Sequence, residues 1–210
     1  MRHLALLGDS ILDNSPYTAP EPDTADCLQR ALGPSWMVEL LARDGSTMAD
    51  LRFQLTHLPR EVDTAILSIG GNDAIAHIGI LEQRVDHAAR VLTQLADITE
   101  DFARRYQRVV SDLRPRVARL VVCTIYEPPL TDSTTTRLVR VPLTLLNDQI
   151  IRQAMKAGVD VLDLRSVCTE PTDFVREIEP SAAGARKIAD AIGALVRGEF
   201  PKRPTTVFAV

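Results

Sequence analysis

Five short apolar runs lie at positions 3–8, 36–41, 64–69, 118–125 and 159–164. Between them, apolar residues recur every three or four positions. Three of the runs are nearly continuous, the mark of strands covered on both faces. The intervening stretches read as helices. Leu51, Leu55 and Leu58 share one face behind a Thr47–Asp50 cap. Phe102, Tyr106, Val109, Val110 and Leu113 repeat at helical spacing until Pro115 ends the pattern. Leu143, Leu146, Ile150 and Ile151 do the same before Gly158. Ser181 opens a last helix that turns Ile188, Ile192, Leu195 and Val196 inward, with Gly198 behind it. The stretch 74–97 also reads as helical, without clear ends.

Strands alternating with helices predict an α/β domain with a parallel sheet and right-handed crossovers. The alternation runs over residues 1–198 as a single domain, with 199–210 as a C-terminal tail. Ligands of such sheets bind beyond the carboxyl ends of the strands. That rule selects five loops, holding Asp9 and Ser10, Gly45, Asn72 and Asp73, Tyr126 and Glu127, and the stretch 165–180.

The net charge of −4 argues against a nucleic-acid partner. The basic clusters Arg114, Arg116 and Arg119, and Lys202 with Arg203, read as solvated surface. Cys27, Cys123 and Cys168 have neither disulfide-framework nor metal-ligand spacing, so no structural metal is indicated. No apolar run approaches the roughly 20 residues that span a bilayer. The N-terminal residues lack a cleavable leader pattern, which predicts a cytoplasmic chain. The first loop, GDSILDN, is neither a dinucleotide fingerprint nor a P-loop, and no cofactor is expected.

In LALLGDSILDN, Ser10 sits directly after a strand, at an exposed turn beside a helix's positive end. Alone, Gly-Asp-Ser is also an ordinary helix cap. In ILSIGGNDAI, Asn72 can offer an amide N–H to a developing oxyanion, although Asn-Asp after glycines also makes a plain turn. The Gly45 N–H in ARDGST is a further donor. Together, at successive strand ends, the three favour a catalytic reading.

Here the chain resembles the GDSL/SGNH hydrolase family. The serine block matches Gly8, Asp9 and Ser10, the glycine block Gly45, and the G-x-N-D block Gly70, Gly71, Asn72 and Asp73. The resemblance implies a three-layer flavodoxin-like sheet of five strands in the order 2-1-3-4-5. It implies an oxyanion hole from the Ser10 and Gly45 N–H groups and the Asn72 side chain. It also implies hydrolysis of carboxylic esters, thioesters or acylated sugars and lipids, hence a small-molecule ester substrate.

The chain departs from the family in its last block, which normally reads D-x-x-H-P. Glu179 stands at the histidine position and Arg176 at the aspartate position. All four histidines, His3, His57, His77 and His87, lie in the first half of the chain. His77, four residues after Asp73, is an auxiliary candidate on one helix face with it. A free Glu is a weaker base than a free His by about 3 kcal/mol. Burial would raise the Glu179 pKa, Arg176 would lower it and Glu177 would raise it.

The leading expectation is a serine esterase or acyl hydrolase using Ser10, Gly45, Asn72 and Glu179, of low activity because the histidine is replaced. Asp9, Asp73, His77 and Arg176 are auxiliaries. The alternative is a catalytically inactive protein of this fold that binds an acyl or carboxylate ligand. A third reading is a metal-dependent phosphoesterase using Asp9, Asp13, Asp73 and Glu179; it is the weakest, since no histidine accompanies these acids.

Overall fold

A computed structural model describes residues 1–199 of the chain. The apolar runs form β1 (Arg2–Gly8), β2 (Trp36–Leu40), β3 (Thr64–Ser68), β4 (Arg119–Cys123) and β5 (Asp160–Leu162). All pair in parallel, in the order β2-β1-β3-β4-β5. This is the flavodoxin-like order, whose topological switch point lies between β1 and β3. A two-stranded antiparallel hairpin, β6 (Phe174–Val175) and β7 (Glu179–Pro180), lies outside this sheet. The tail 200–210, with Lys202 and Arg203, lies outside the described residues.

The helices are α1 (Ser15–Thr18), α2 (Thr24–Leu32), α3 (Leu51–Thr56), α4 (Gly71–Ile75), α5 (Ala88–Leu113), α6 (Ser133–Ala157) and α7 (Ala182–Arg197). Side chains alternate across the strands, as a period of two requires. Ala5, Leu7, Ala65, Leu67, Leu120 and Val122 pack with α3, α5 and α6. Leu4, Leu6, Ile66, Val121 and Cys123 pack with α2 and α7 on the other face. Both faces are therefore covered, which is why the strands tolerate so few polar residues.

The stretch 74–97 is not one helix. α4 stops at Ile75, a 3-10 turn covers Ile78–Glu82, and α5 starts only at Ala88. His87 is the residue that immediately precedes α5. The buried residues of α5 are Phe102, Tyr106, Val109, Val110 and Leu113, all in its second half. Those of α6 begin at Leu143. The first half of α5 and the first ten residues of α6 thus bury no residue fully. A crossover helix starts at the carboxyl edge of the sheet, so these overhanging turns stand above that edge.

Two buried amides fix the loops at this edge. Gln54 Oε1 accepts from the Gly8 N–H at 2.8 Å, and Gln54 Nε2 donates to the Gly8 carbonyl at 2.7 Å. Asn147 makes the same reciprocal pair with Ile125, each bond 2.8 Å. Gly8 has φ 125°, and a Cβ built there would lie 1.6 Å from the Ser68 carbonyl oxygen. No rotamer change relieves a clash with backbone. Gly8→Ala is therefore expected to destabilise the fold by roughly 4 kcal/mol or more, read by urea denaturation.

Candidate active site

A cavity of about 380 Å³ opens above the carboxyl edge. Asp9, Ser10, Asn72, His77, Glu177 and Glu179 all line it. They come from the loop after β1, the α4 segment after β3, and the β6–β7 hairpin. The switch point between β1 and β3 thus supplies Ser10 and Asn72, and the hairpin brings Glu179 across to them. The Ser10 hydroxyl lies near enough to the Glu179 carboxyl to favour its ionised form, with no hydrogen bond of normal geometry between the two among the described residues.

Burial is the largest influence on Glu179 and pushes its pKa above the ordinary value. The Ser10 contact opposes this, the Asp44 charge adds to it, and the Arg176 charge opposes it. The upward push thus comes from burial and Asp44, where Glu177 was expected. Arg176 lies 5.2 Å from the Tyr17 ring centre, stacked on its face. Glu179 Oε2 is buried without a hydrogen-bond partner. An acceptor-only oxygen in that condition suits a group that takes up a proton.

The three-residue turn of the hairpin carries Arg176 at φ 46° and Glu177 at φ 70°. Left-handed backbone at non-glycine residues is costly and concentrates at functional sites. Tyr126, buried behind the cavity, donates its hydroxyl to the Ile178 carbonyl within this turn. Its ring meets Phe174 of β6 edge-on, centroids 5.0 Å apart.

Asp9 is almost fully buried beneath Ser10. Its carboxyl accepts from the Ile11 N–H at 3.3 Å and the Ser68 hydroxyl at 3.4 Å. Burial raises its pKa from 3.8 to about 7; those two hydrogen bonds resist the rise and the Glu179 charge reinforces it.

Asn72 Nδ2 donates to the Ser46 carbonyl at 2.9 Å, tying α4 to the loop that carries Gly45. The amide's second N–H remains available. The Ser10 and Gly45 N–H groups make no hydrogen bond among the described residues. Gly45 itself is exposed and does not line the cavity. Its loop is tethered through Asp44, whose N–H donates to Asp13 at 2.9 Å and whose carboxylate accepts from Tyr17 at 2.7 Å.

Asp73 does not share a helix face with His77, because α4 ends between them. The Asp73 carboxylate turns away from the cavity, accepts from the Met48 N–H at 2.9 Å and pairs with Arg105. It braces the loop after β2 against α5. Asp13 is likewise occupied, so Asp9, Asp13, Asp73 and Glu179 do not converge. No group of three acid, His or Cys side chains among the described residues is arranged to hold a metal. His77 is exposed at the cavity wall. His3 pairs with Glu39 at 2.8 Å in the sheet. Asp173 is buried against Lys187 at 2.8 Å and the Thr169 and Glu170 N–H groups at 3.0 Å. Glu127 pairs with Arg140 at 3.2 Å.

Gln54, Arg105, Tyr126 and Asn147 support the site and were not singled out from the sequence. Arg105 had a usable signal, since it lies three positions beyond Phe102 beside an otherwise apolar helix face. No helix among the described residues is long and apolar enough to cross a membrane.

Among curated proteins, none matches this sequence. Solved structures match its fold over nearly the whole chain. A phospholipase A1 from Streptomyces albidoflavus NA297 has a TM-score of 0.69 at 18% identity, covering 95% of this chain and 99% of its own. An extracellular lipase from Streptomyces rimosus has a TM-score of 0.67 at 15% identity, covering 95% and 100%. A variant of an acetyl xylan esterase from Geobacillus stearothermophilus has a TM-score of 0.64 at 15% identity, covering 96% and 97%. The profile of the GDSL-like lipase/acylhydrolase family matches residues 6–187. With that match over most of its length, the chain belongs to the GDSL-like lipase/acylhydrolase family.

Proposed function

We propose that the protein is a serine esterase in which Glu179 does the work of the absent histidine. The observation that supports this most is the convergence of Ser10, Asn72 and Glu179 on one cavity. In this reading, Ser10 Oγ attacks the ester carbonyl carbon and its proton passes to Glu179. The carbonyl oxygen becomes an oxyanion held by the Ser10 N–H and Asn72 Nδ2, the donors on the cavity wall. Collapse breaks the bond to the alkoxy group, which leaves as the alcohol with the proton from Glu179. Water then attacks the acyl-serine, gives a proton to Glu179, and releases the acid as that proton returns to Ser10.

Burial of Glu179 favours this use, because a raised pKa makes the carboxylate a stronger base and a better temporary store for a proton.

Steady-state hydrolysis of p-nitrophenyl esters tests the reading. Ser10→Ala is expected to remove turnover. Asn72→Ala is expected to lower kcat by roughly 10²–10³, the usual effect of losing one oxyanion donor. An unchanged kcat in folded Asn72→Ala contradicts its assignment. If wild type turns over no ester, the reading of an inactive protein that binds an acyl or carboxylate ligand takes its place.

A further inference from the structure

The cavity has a composition that the ester chemistry does not require. Beyond Ser10, Asn72 and Glu179, its wall runs from Ile75 and Ile78 to Leu95 and Ile98 of α5 and Leu143 and Leu146 of α6. Ile75, Ile78, Leu95 and Ile98 come from α4, the 3-10 segment and the overhanging turns of α5, which pack little of the core, while Leu143 and Leu146 are core residues that also face the cavity. Ile75 is 45% exposed and Ile78 50% exposed, so the mouth is apolar as well as the interior. A soluble domain gains nothing from such exposure unless something apolar covers it in use. The acidic residues on the wall are Asp9, Glu177 and Glu179, and among the described residues no Lys or Arg lines the cavity.

We infer that the substrate is an uncharged ester of a straight-chain fatty acid of medium length, its acyl chain lying along Ile78, Leu95, Ile98 and Leu143. This deepens the esterase reading and rests on it. The volume of about 380 Å³ lies at the small end of ligand sites and suits an acyl chain of about eight to twelve carbons. A sugar ring would leave its hydroxyls facing isoleucine and leucine, where unmatched polar groups are costly. An anionic substrate would meet three acidic side chains on the wall, with no Lys or Arg lining it among the described residues.

The test is kcat/KM across p-nitrophenyl esters of two, four, eight, twelve and sixteen carbons, with Ser10→Ala as the control. Each buried methylene is expected to raise kcat/KM by about threefold. The rise from two to eight carbons is then about 10²–10³, with a maximum near eight to twelve and a decline at sixteen. Ile98→Trp and Leu95→Trp fill the wall and are expected to move the maximum to shorter chains. Octan-1-ol is expected to inhibit at concentrations at least tenfold below octanoate. Ser10-dependent turnover that is best with the acetate, or equally good at all lengths, overturns the chain-length inference and leaves the esterase reading standing. Turnover that survives Ser10→Ala overturns the esterase reading itself. If no ester is turned over, thermal denaturation decides: octan-1-ol should raise the Tm of wild type and not of Ile98→Trp, and no rise in wild type overturns the inference.

Discussion

Replacing Glu179 by glutamine is expected to lower kcat/KM for ester hydrolysis by about 10²–10⁴, the usual worth of a positioned acid–base group. Glutamine keeps the size of the side chain and its fit against Ser10 but cannot accept the serine proton. The pH profile separates this role from a packing role. Burial raises the Glu179 pKa, so the group becomes protonated at a higher pH than an ordinary carboxylate. Protonated Glu179 cannot act as a base. Activity should therefore rise with pH through that raised value and level off above it. In Glu179→Gln the rise should vanish along with most of the rate. If the variant is as active as wild type, Glu179 is not the base, and His77, the only histidine on the cavity wall, becomes the residue to replace.

The same reasoning covers restoration of the family residues. Glu179→His supplies a ring whose two protonation states balance near pH 7. Its ring still needs an acid to hold the tautomer. Adding Arg176→Asp supplies one at a position whose φ of 46° an aspartate tolerates better than most residues. The double variant is expected to exceed Glu179→His alone in kcat, measured near pH 7.5.

Asp9→Asn is expected to stabilise the protein at neutral and alkaline pH and to flatten its pH dependence. Asp9 titrates at about 7 when folded, against 3.8 when free. Between those values the native state holds a proton that the unfolded chain releases. Stability from this group is complete below about pH 4 and is lost as the pH rises through about 7. The loss has a ceiling of about 4 kcal/mol, since each unit is worth about 1.4 kcal/mol. Asparagine carries no charge to desolvate, and its oxygen can accept the same Ile11 and Ser68 hydrogen bonds. Urea denaturation at pH 5 and pH 8 reads the difference. Equal pH slopes for the two proteins would show that Asp9 is not the source. A buried acid beside the nucleophile that costs stability when ionised is the kind of compromise seen at working sites.

The sheet was legible because its strands are covered on both faces and therefore carry almost unbroken apolar runs. Its order followed from the resemblance. The edge where ligands bind followed from topology, and the blocks at Ser10 and Asn72 fell on it. The region 74–97 was not legible. Its apolar residues serve a cavity wall and not a core face, so Ile75, Ile78 and Leu81 mimic helical spacing across a break. Asp73 was misassigned for a related reason. Spacing placed it with His77 on one face, but α4 is too short to reach His77, and Arg105 lies 32 residues further along the chain. The clamps Gln54 and Asn147 are polar residues in buried helix positions, and amphipathic patterns record only the apolar neighbours that surround them.

The account stands on Ser10 being a nucleophile activated through Glu179, and covalent labelling reads that most directly. Wild type, Ser10→Ala and Glu179→Gln are incubated with an alkyl fluorophosphonate at pH 7.5 and followed by intact-protein mass spectrometry. The expected result is a single adduct on wild type, mapped to the peptide containing Ser10, absent from Ser10→Ala and formed at least tenfold more slowly on Glu179→Gln. No adduct on folded wild type, or equally fast labelling of wild type and Glu179→Gln, would contradict the account.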